Sequence, residues 1–244
     1  MSAWKAKRFW TEAQVIEETE GYGVALDARP VNTPGKIRLI VPTRAMAEAI
    51  AAEWDAQDEV INPNTMPVTR SANSALEKVG EQHGAVAQMI ADYGDSDLLC
   101  YRAVSPVELA ERQAAAWDPL LDWADSALNV RLSVRTGVMH HPQDGTALQK
   151  LQAEVHAQDN FALTALHDLV SLSGSLVIGL AAIRDAKPIE DLWKISRIDE
   201  DWQSELWGDD DEASALAARK AEAFLHAKRF FDLSRAADQG HVLA

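Results

Sequence analysis

The run from Leu169 to Ile183, LVSLSGSLVIGLAAI, carries no charged side chain. Asp168 and Arg184 bound it, so it falls short of the ~20 apolar residues that a membrane-spanning helix needs. A helix with no polar face must be covered by other parts of its own fold. The sequence therefore predicts a buried central helix, in a chain of 244 residues whose 47% hydrophobic content is enough for a substantial core.

Short strands are predicted near the start of the chain. Segments 9–18, 22–26 and 37–41 mix β-branched and aromatic residues with polar ones, and the turn-forming sequences DARP and NTPGK separate the later strands. Thr43 then has the side chain of a helix N-cap, directly before the helical pattern MAEAIAAEWDAQ. This order predicts a small unit in which a helix packs on antiparallel strands.

Helical patterns dominate the rest of the chain. The predicted helical segments are 70–93, 106–127, 146–157, 160–184, 188–206 and 210–235. The predicted fold class is therefore α+β. A small N-terminal antiparallel β-rich domain with one or two helices, residues 1–78, is followed by a larger all-helical domain, residues 79–244.

The charge balance limits the kinds of partner. Asp and Glu number 38 against 23 Lys and Arg, which gives a net charge of −15. Such a chain is repelled by nucleic acids and anionic membranes, and it suits a basic or mixed protein surface. No apolar stretch follows the basic residues of Met1–Trp10, so we expect no secretory signal and a location in the bacterial cytoplasm.

Motifs of catalysis and cofactor binding are absent from the sequence. It contains no P-loop, no G-x-G-x-x-G and no G-x-S-x-G. His140 and His141 are neighbours in a loop, without an H-E-x-x-H pattern to make them converge on a metal. Cys100 is the only cysteine, and Leu98 and Leu99 before it predict burial. We therefore expect no catalytic residue, no cofactor and no metal.

The stretch SRIDEDWQSELWGDDDEA, residues 196–213, combines two tryptophans with eight acidic residues. A continuous helix from Pro188 would place one apolar stripe along Leu192, Ile195, Asp199, Trp202 and Leu206. Asp199 within that stripe needs a pairing partner, a hydrogen bond or an interface, because an isolated buried carboxylate is costly. Two interpretations remain open: the tryptophans anchor the helix in the core, or they form a recognition surface with an acidic rim.

Seven stretches, in their order along the chain, resemble the assembly chaperone family that binds the α subunit of the catalytic head of F-type ATP synthase. They are KRFW (7–10), LDARPVNTP (26–34), PTRAMAEAIAAEWDAQ (42–57), INPNTMPVTRSANSALE (61–77), DSDLLCYRA (95–103), WDPLLDW (117–123) and SRIDEDWQSELWG (196–208). The chain departs from the family at Ala28, where glycine is usual, which leaves the type of that turn open.

The resemblance implies a chaperone that covers the β-subunit-facing surface of a free α subunit until assembly, without nucleotide hydrolysis. It implies a protein partner, no nucleic acid, no membrane insertion, and a chaperone that is monomeric when free. Eukaryotic relatives act in the mitochondrial matrix. We expect the partner-binding residues to be Asp199, Trp202, Gln203, Glu205, Trp207, Asp211 and Glu212.

Two other functions remain as alternatives. The chain could be a structural subunit that stays in a complex. It could also be an acid–base hydrolase that uses Asp199 and a second carboxylate at an inter-domain site, which requires a concave polar pocket.

Overall fold

The computed structural model of the protein describes residues 7–208 and 210–237. The remaining residues, 1–6, 209 and 238–244, lie outside the described residues. The expectation that residues 1–10 hold no secretory signal therefore falls partly outside them. The described residues form two compact units. The first comprises residues 7–83, 160–164 and 229–237, and the second comprises residues 84–159 and 165–228.

The first unit contains an antiparallel sheet centred on one strand. Its strands are β1 (Ala13–Glu18), β2 (Gly21–Leu26), β3 (Arg29–Pro30) and β4 (Ile40–Val41). One edge of β2 pairs with β1 over its whole length, and the other edge pairs with β3 and β4. The last four residues of β2 are buried, as expected for the central strand of a covered sheet.

The turn between β2 and β3 resolves the question raised by Ala28. The positive φ of this turn belongs to Asp27 (φ 52°), so no glycine is needed at the next position. The Asp27 carboxylate also accepts hydrogen bonds from the backbone N–H groups of Thr11 (3.0 Å) and Glu12 (3.1 Å). Asp tolerates this backbone conformation and anchors the segment that enters β1.

Helix α1 (Arg44–Asp55) begins where the sequence predicts. The Thr43 hydroxyl accepts a hydrogen bond from the Met46 backbone N–H at 3.1 Å, which confirms the predicted N-cap. The same hydroxyl donates to the Leu233 carbonyl at 2.6 Å. Met46 and Ile50 are fully buried where α1 packs on β1 and β2.

The helices beyond α1 account for most of the remaining chain. They are α2 (Pro67–Ser74), α3 (Gly80–Ala91), α4 (Val107–Leu128), α5 (Gly145–His156), α6 (Asn160–Ser173), α7 (Leu176–Ile183), α8 (Ile189–Ser196), α9 (Ile198–Trp207) and α10 (Asp211–Arg235). A π-helical turn, Ala75–Val79, joins α2 to α3. No helix within the described ranges is long and apolar enough to cross a membrane.

The predicted α+β class, with an N-terminal antiparallel sheet followed by a mostly helical region, is confirmed. One detail differs, because the helical part also contains a parallel pair of two-residue strands. These are β5 (Tyr101–Arg102) and β6 (Arg135–Thr136). The predicted division at residue 78 follows chain order alone. The first unit also includes residues 160–164 and 229–237, which pack there although they are distant in sequence.

The predicted single helix over 160–184 is wrong, because the chain breaks at Gly174. This glycine has φ 72°, its N–H donates to the Val170 carbonyl at 2.8 Å, and it ends α6 in a left-handed conformation. The Ser175 side chain then accepts from the Ile178 N–H at 3.0 Å and caps α7. Every residue of α7 is buried, so the predicted burial is confirmed for Leu176–Ile183. In the part of the segment that belongs to α6, Ser171 is exposed.

The predicted helix over 188–206 is also two helices, and they meet at Arg197 (φ −107°, ψ 7°). The Ile195 carbonyl accepts the indole N–H of Trp117 at 2.9 Å rather than the backbone N–H of Asp199. The break ends the predicted stripe, because Leu192 is buried whereas Leu206 is 60% exposed.

Candidate functional site

A groove in the second unit lies between the segment that leads into α4, the residues after β6, and α9. Its volume is about 450 Å³. We call it the α4–α9 groove. Its lining residues are Leu98, Tyr101, Arg102, Ala103, Val104, Ser105, Pro106, Leu109, Gln113, Trp117, Gly137, Val138, Asp199, Trp202 and Gln203. Such a lining, mostly apolar with a few polar groups that converge, is typical of binding sites.

The two helices that frame the groove have clear ends. Helix α4 ends at Asn129, whose φ of 55° gives the left-handed stop. Helix α9 has acidic residues in its first turn, where negative charge stabilises a helix, and it ends at Gly208 with φ 86°. Asp199 and Trp202 are three residues apart on α9 and therefore reach the groove from the same face.

One polar wall of the groove is a chain of hydrogen bonds through a buried glutamine. The Gln113 side-chain oxygen accepts from the Ala103 backbone N–H at 2.7 Å, and its nitrogen donates to Asp199 Oδ1 at 2.6 Å. Gln113 is buried and Asp199 is half-buried. Of the three options that the sequence leaves open for Asp199, the structure shows a hydrogen bond, which comes from α4 and fixes the orientation of the carboxylate.

Arg112 holds the outer side of α9. Its guanidinium lies over the Trp202 ring, 5.4 Å from the centroid, and donates to Glu205 Oε1 at 2.8 Å. The aromatic face and the carboxylate both favour the cation, although each contact is partly solvated and contributes modestly. Glu205 is thus engaged beside the groove, and it is not part of the lining.

Arg102 is the cation at the base of the groove. It is buried, its Nη1 donates to the Leu99 carbonyl at 2.6 Å, and its Nη2 forms an ion pair with Asp118. Its guanidinium also lies 5.1 Å from the centroid of the Trp117 ring. Because these contacts use the charge of Arg102, the base presents mainly apolar surface to an occupant.

The seven predicted binding residues fall into two groups. Asp199, Trp202 and Gln203 line the groove, whereas Glu205, Trp207, Asp211 and Glu212 do not. Trp207 is 86% exposed at the end of α9, and the two acids are exposed in the first turn of α10. A purely core role thus does not fit Trp207, while Trp202 is half-buried against Arg112. That these residues bind a partner stays a prediction.

Several lining residues carry no catalytic or binding signature in the sequence and were missed. They are Tyr101, Val104, Leu109, Trp117 and Val138, whose side chains add aromatic and aliphatic groups to the groove lining. Two of them, Val104 and Val138, are valines within loops, and an apolar residue in a polar loop is a signal that the sequence does contain. In the structure they are 76% and 91% exposed. Large apolar groups that face water near a groove indicate an interaction surface.

The groove does not hold a pair of acids. Asp199 is the one carboxylate among its described lining residues, whereas the hydrolase alternative needs two. Cys100 is buried as predicted, and this burial raises the pKa of its thiol to about 12. A thiol with so high a pKa is not a nucleophile at neutral pH. Among residues 7–208 and 210–237, no group of three His, Cys, Asp or Glu side chains is placed to hold a metal ion.

Comparisons with known proteins bear on the whole chain. The family model of the ATP12 chaperone protein matches residues 7–125. The crystal structure of Atp12 from Paracoccus denitrificans is 52% identical, with a TM-score of 0.93, and the match covers 96% of this chain and 100% of that one. A point mutant of the P. denitrificans protein matches equally well. A proposed chaperone from Agrobacterium tumefaciens is 38% identical, with a TM-score of 0.88, over 93% of this chain and 85% of that one.

Proposed function

Because the chain belongs to the ATP12 chaperone family, we propose that it is an assembly chaperone of F-type ATP synthase that binds the free α subunit. It covers the surface of the α subunit that later meets the β subunit. It acts without enzymatic activity, and it works in the bacterial cytoplasm. The family and the α4–α9 groove support this proposal.

The observation that carries the proposal furthest is the apolar groove together with the exposed apolar groups beside it. Leu206 and Trp207 lie at the end of α9, and Val104 and Val138 lie on the groove lining. Tryptophan is enriched at binding hot spots, and apolar patches rimmed by polar groups mark protein interaction surfaces. A chaperone for an aggregation-prone free subunit needs a surface of this kind.

Charge supports a basic or mixed partner surface. The chain carries a net charge of −15, and Asp211 and Glu212 are exposed beyond α9. An acidic rim steers a basic partner and discriminates against other acidic proteins. We propose that all seven predicted residues belong to the capture surface, three of them in the groove and four around it.

Release follows from competition. The β subunit binds the same face of the α subunit more durably, so formation of the αβ interface displaces the chaperone by mass action. Nucleotide hydrolysis is not required for this exchange. The chaperone must therefore bind the α subunit more weakly than the β subunit does.

Co-expression tests the proposal directly. The chain is expressed with the α subunit of the same organism, and separately with the β subunit, and the soluble fractions are run on size-exclusion chromatography. We expect the α subunit to remain soluble and to co-elute with the chain, whereas the β subunit does neither. If the α subunit gains no solubility and forms no complex, the proposal is wrong.

A further inference from the structure

We infer that the α4–α9 groove accepts a partner segment in which a large apolar side chain stands next to a lysine or arginine. The apolar side chain enters the cavity, and the cation meets the carboxylate of Asp199. This inference rests on the proposed function, since the segment belongs to the α subunit. It goes further by naming the chemistry that the groove recognises.

The shape and lining of the groove select the apolar side chain. Leu109 and Trp117 of α4 and Trp202 of α9 line the cavity, and the exposed Val104 and Val138 form its rim. A volume of about 450 Å³ falls within the ~300–1,000 Å³ range of ligand pockets and has room for a large side chain. Filling it would remove apolar surface from water on both partners, which favours binding.

The carboxylate of Asp199 selects the cation. Its Oδ1 accepts from Gln113, and within residues 7–208 and 210–237 its Oδ2 accepts no protein hydrogen bond. A carboxylate has about four acceptor positions, so this oxygen is available to an occupant. Covering the groove with a purely apolar segment would remove water from the charge and leave it unpaired, which is unfavourable.

The chain does not supply the cation itself. Three arginines near the groove are each paired with another carboxylate: Arg102 with Asp118, Arg112 with Glu205, and Arg197 with Glu200. No lysine or arginine of the described residues lies within ion-pair distance of Asp199. The matching positive charge must therefore come from the occupant, and charge complementarity determines the class of segment.

The surroundings favour a protein segment over a small molecule. Val107 follows the lining residue Pro106, and Met139 follows the rim residue Val138. They are 62% and 75% exposed. An occupant confined to the cavity would leave these apolar groups in water. A segment that belongs to a larger folded surface covers them together with the groove.

Calorimetric titration of the purified α subunit into chain variants tests the inference. Asp199→Lys reverses the charge, and Val104→Asp places a carboxylate on the apolar rim. Glu190→Gln serves as the matched control, because it removes one negative charge from an exposed position of α8 outside the groove. We expect Kd to rise on the order of tenfold or more for both groove variants and to change less than about twofold for the control.

Asp199→Asn separates folding from recognition. An asparagine oxygen can still accept the Gln113 hydrogen bond, so the wall keeps its geometry while the charge is lost. We expect an unchanged thermal melting curve and a binding loss intermediate between wild type and Asp199→Lys. A p-benzoylphenylalanine at position 138, cross-linked to the α subunit, then identifies the segment by mass spectrometry.

Charge reversal on the identified segment completes the test. Replacing its lysine or arginine with glutamate is expected to weaken binding to the wild-type chain and to restore binding to Asp199→Lys. If the wild type binds the α subunit and the folded groove variants bind it equally well, the groove inference is wrong while the proposed function stands. If the wild-type chain does not bind the α subunit, the proposed function is wrong, and the inference with it.

Discussion

At the scale of single residues, Asp97 is a carboxylic acid buried in the core. It is completely buried, and its carboxylate accepts from the backbone N–H groups of Leu99 and Val177, both at 3.0 Å. These bonds join the short helical turn at Leu98–Cys100 to the start of α7. Burial raises the pKa of Asp97 from 3.8 to about 6, although the backbone hydrogen bonds oppose the shift.

This shift predicts a pH dependence with a definite sign. The folded state binds a proton below pH ~6 and the unfolded state only below pH ~4, so Asp97 lowers the free energy of unfolding as pH rises through that window. Asp97→Asn removes this dependence. We expect its destabilisation relative to wild type to be about 2 kcal/mol smaller at pH 7.5 than at pH 4.5. Urea unfolding of both proteins at both pH values measures this destabilisation. If the stability difference between Asp97→Asn and wild type is the same at pH 4.5 and 7.5, the raised pKa of Asp97 is contradicted.

Two tryptophans allow a test of core against surface roles. Trp207 is 86% exposed, so Trp207→Ala should change the free energy of unfolding by less than about 0.5 kcal/mol. If it contributes to capture, the same change weakens α-subunit binding by about tenfold. Urea unfolding and calorimetry separate the two effects.

Trp117 is the contrasting control. It is 1% exposed and its indole N–H is bonded to Ile195, so Trp117→Ala should cost about 3–5 kcal/mol of stability. A large loss of stability at Trp207 instead would mean that the end of α9 is packed against other residues.

At the scale of elements, the break between α6 and α7 depends on one glycine. Gly174 has φ 72°, while an added Cβ would lie 3.8 Å from its nearest neighbour, the Cβ of Leu98. There is room for a methyl group, so the cost of Gly174→Ala comes from backbone strain alone. We expect a loss of about 1–2 kcal/mol in thermal or urea unfolding.

Gly84 in α3 provides the matched control for that substitution. It has no atom within 4 Å of an added Cβ and no positive φ. Gly84→Ala should therefore stabilise the protein by about 0.5–1 kcal/mol, because alanine is the better helix former. The change in the free energy of unfolding should therefore have opposite signs for Gly174→Ala and Gly84→Ala. Equal signs would argue against backbone strain as the cost of alanine at Gly174.

At the scale of the whole molecule, the excess of acidic residues predicts electrostatic steering. Raising the salt concentration should slow association with the α subunit much more than it changes dissociation. Asp211→Lys combined with Glu212→Lys should reduce the association rate at low salt, since both acids are exposed beyond α9. Surface plasmon resonance at two salt concentrations measures both rates, and a salt-independent association rate would exclude the steering role.

A transient chaperone and a retained structural subunit differ in stoichiometry. The proposed function predicts that the chain is absent from purified, fully assembled ATP synthase and present in fractions that contain free α subunit. Quantitative mass spectrometry of both fractions decides between the two. An equimolar amount in the assembled enzyme would favour the structural alternative that the sequence left open.

The sequence could predict elements where the signal is local. The Thr43 cap, the strands around Val24 and the burial of the uncharged α7 segment all follow from side-chain type and periodicity. It could not predict the break at Arg197, where no helix-breaking residue stands. That break accompanies a tertiary contact, because Trp117 bonds to the Ile195 carbonyl that a continuous helix would use.

The sequence by itself determined the fold class, the family and the acidic surface, since these depend on composition, order and period along the chain. Only the tertiary structure decided the groove. Gln113 and Asp199 are 86 residues apart, and their hydrogen bond exists because α4 and α9 pack together. The same packing separates Asp199 and Trp202 from the exposed Trp207. Contacts between distant segments leave no periodic pattern of residue types along the chain. They could therefore not be predicted from this sequence alone.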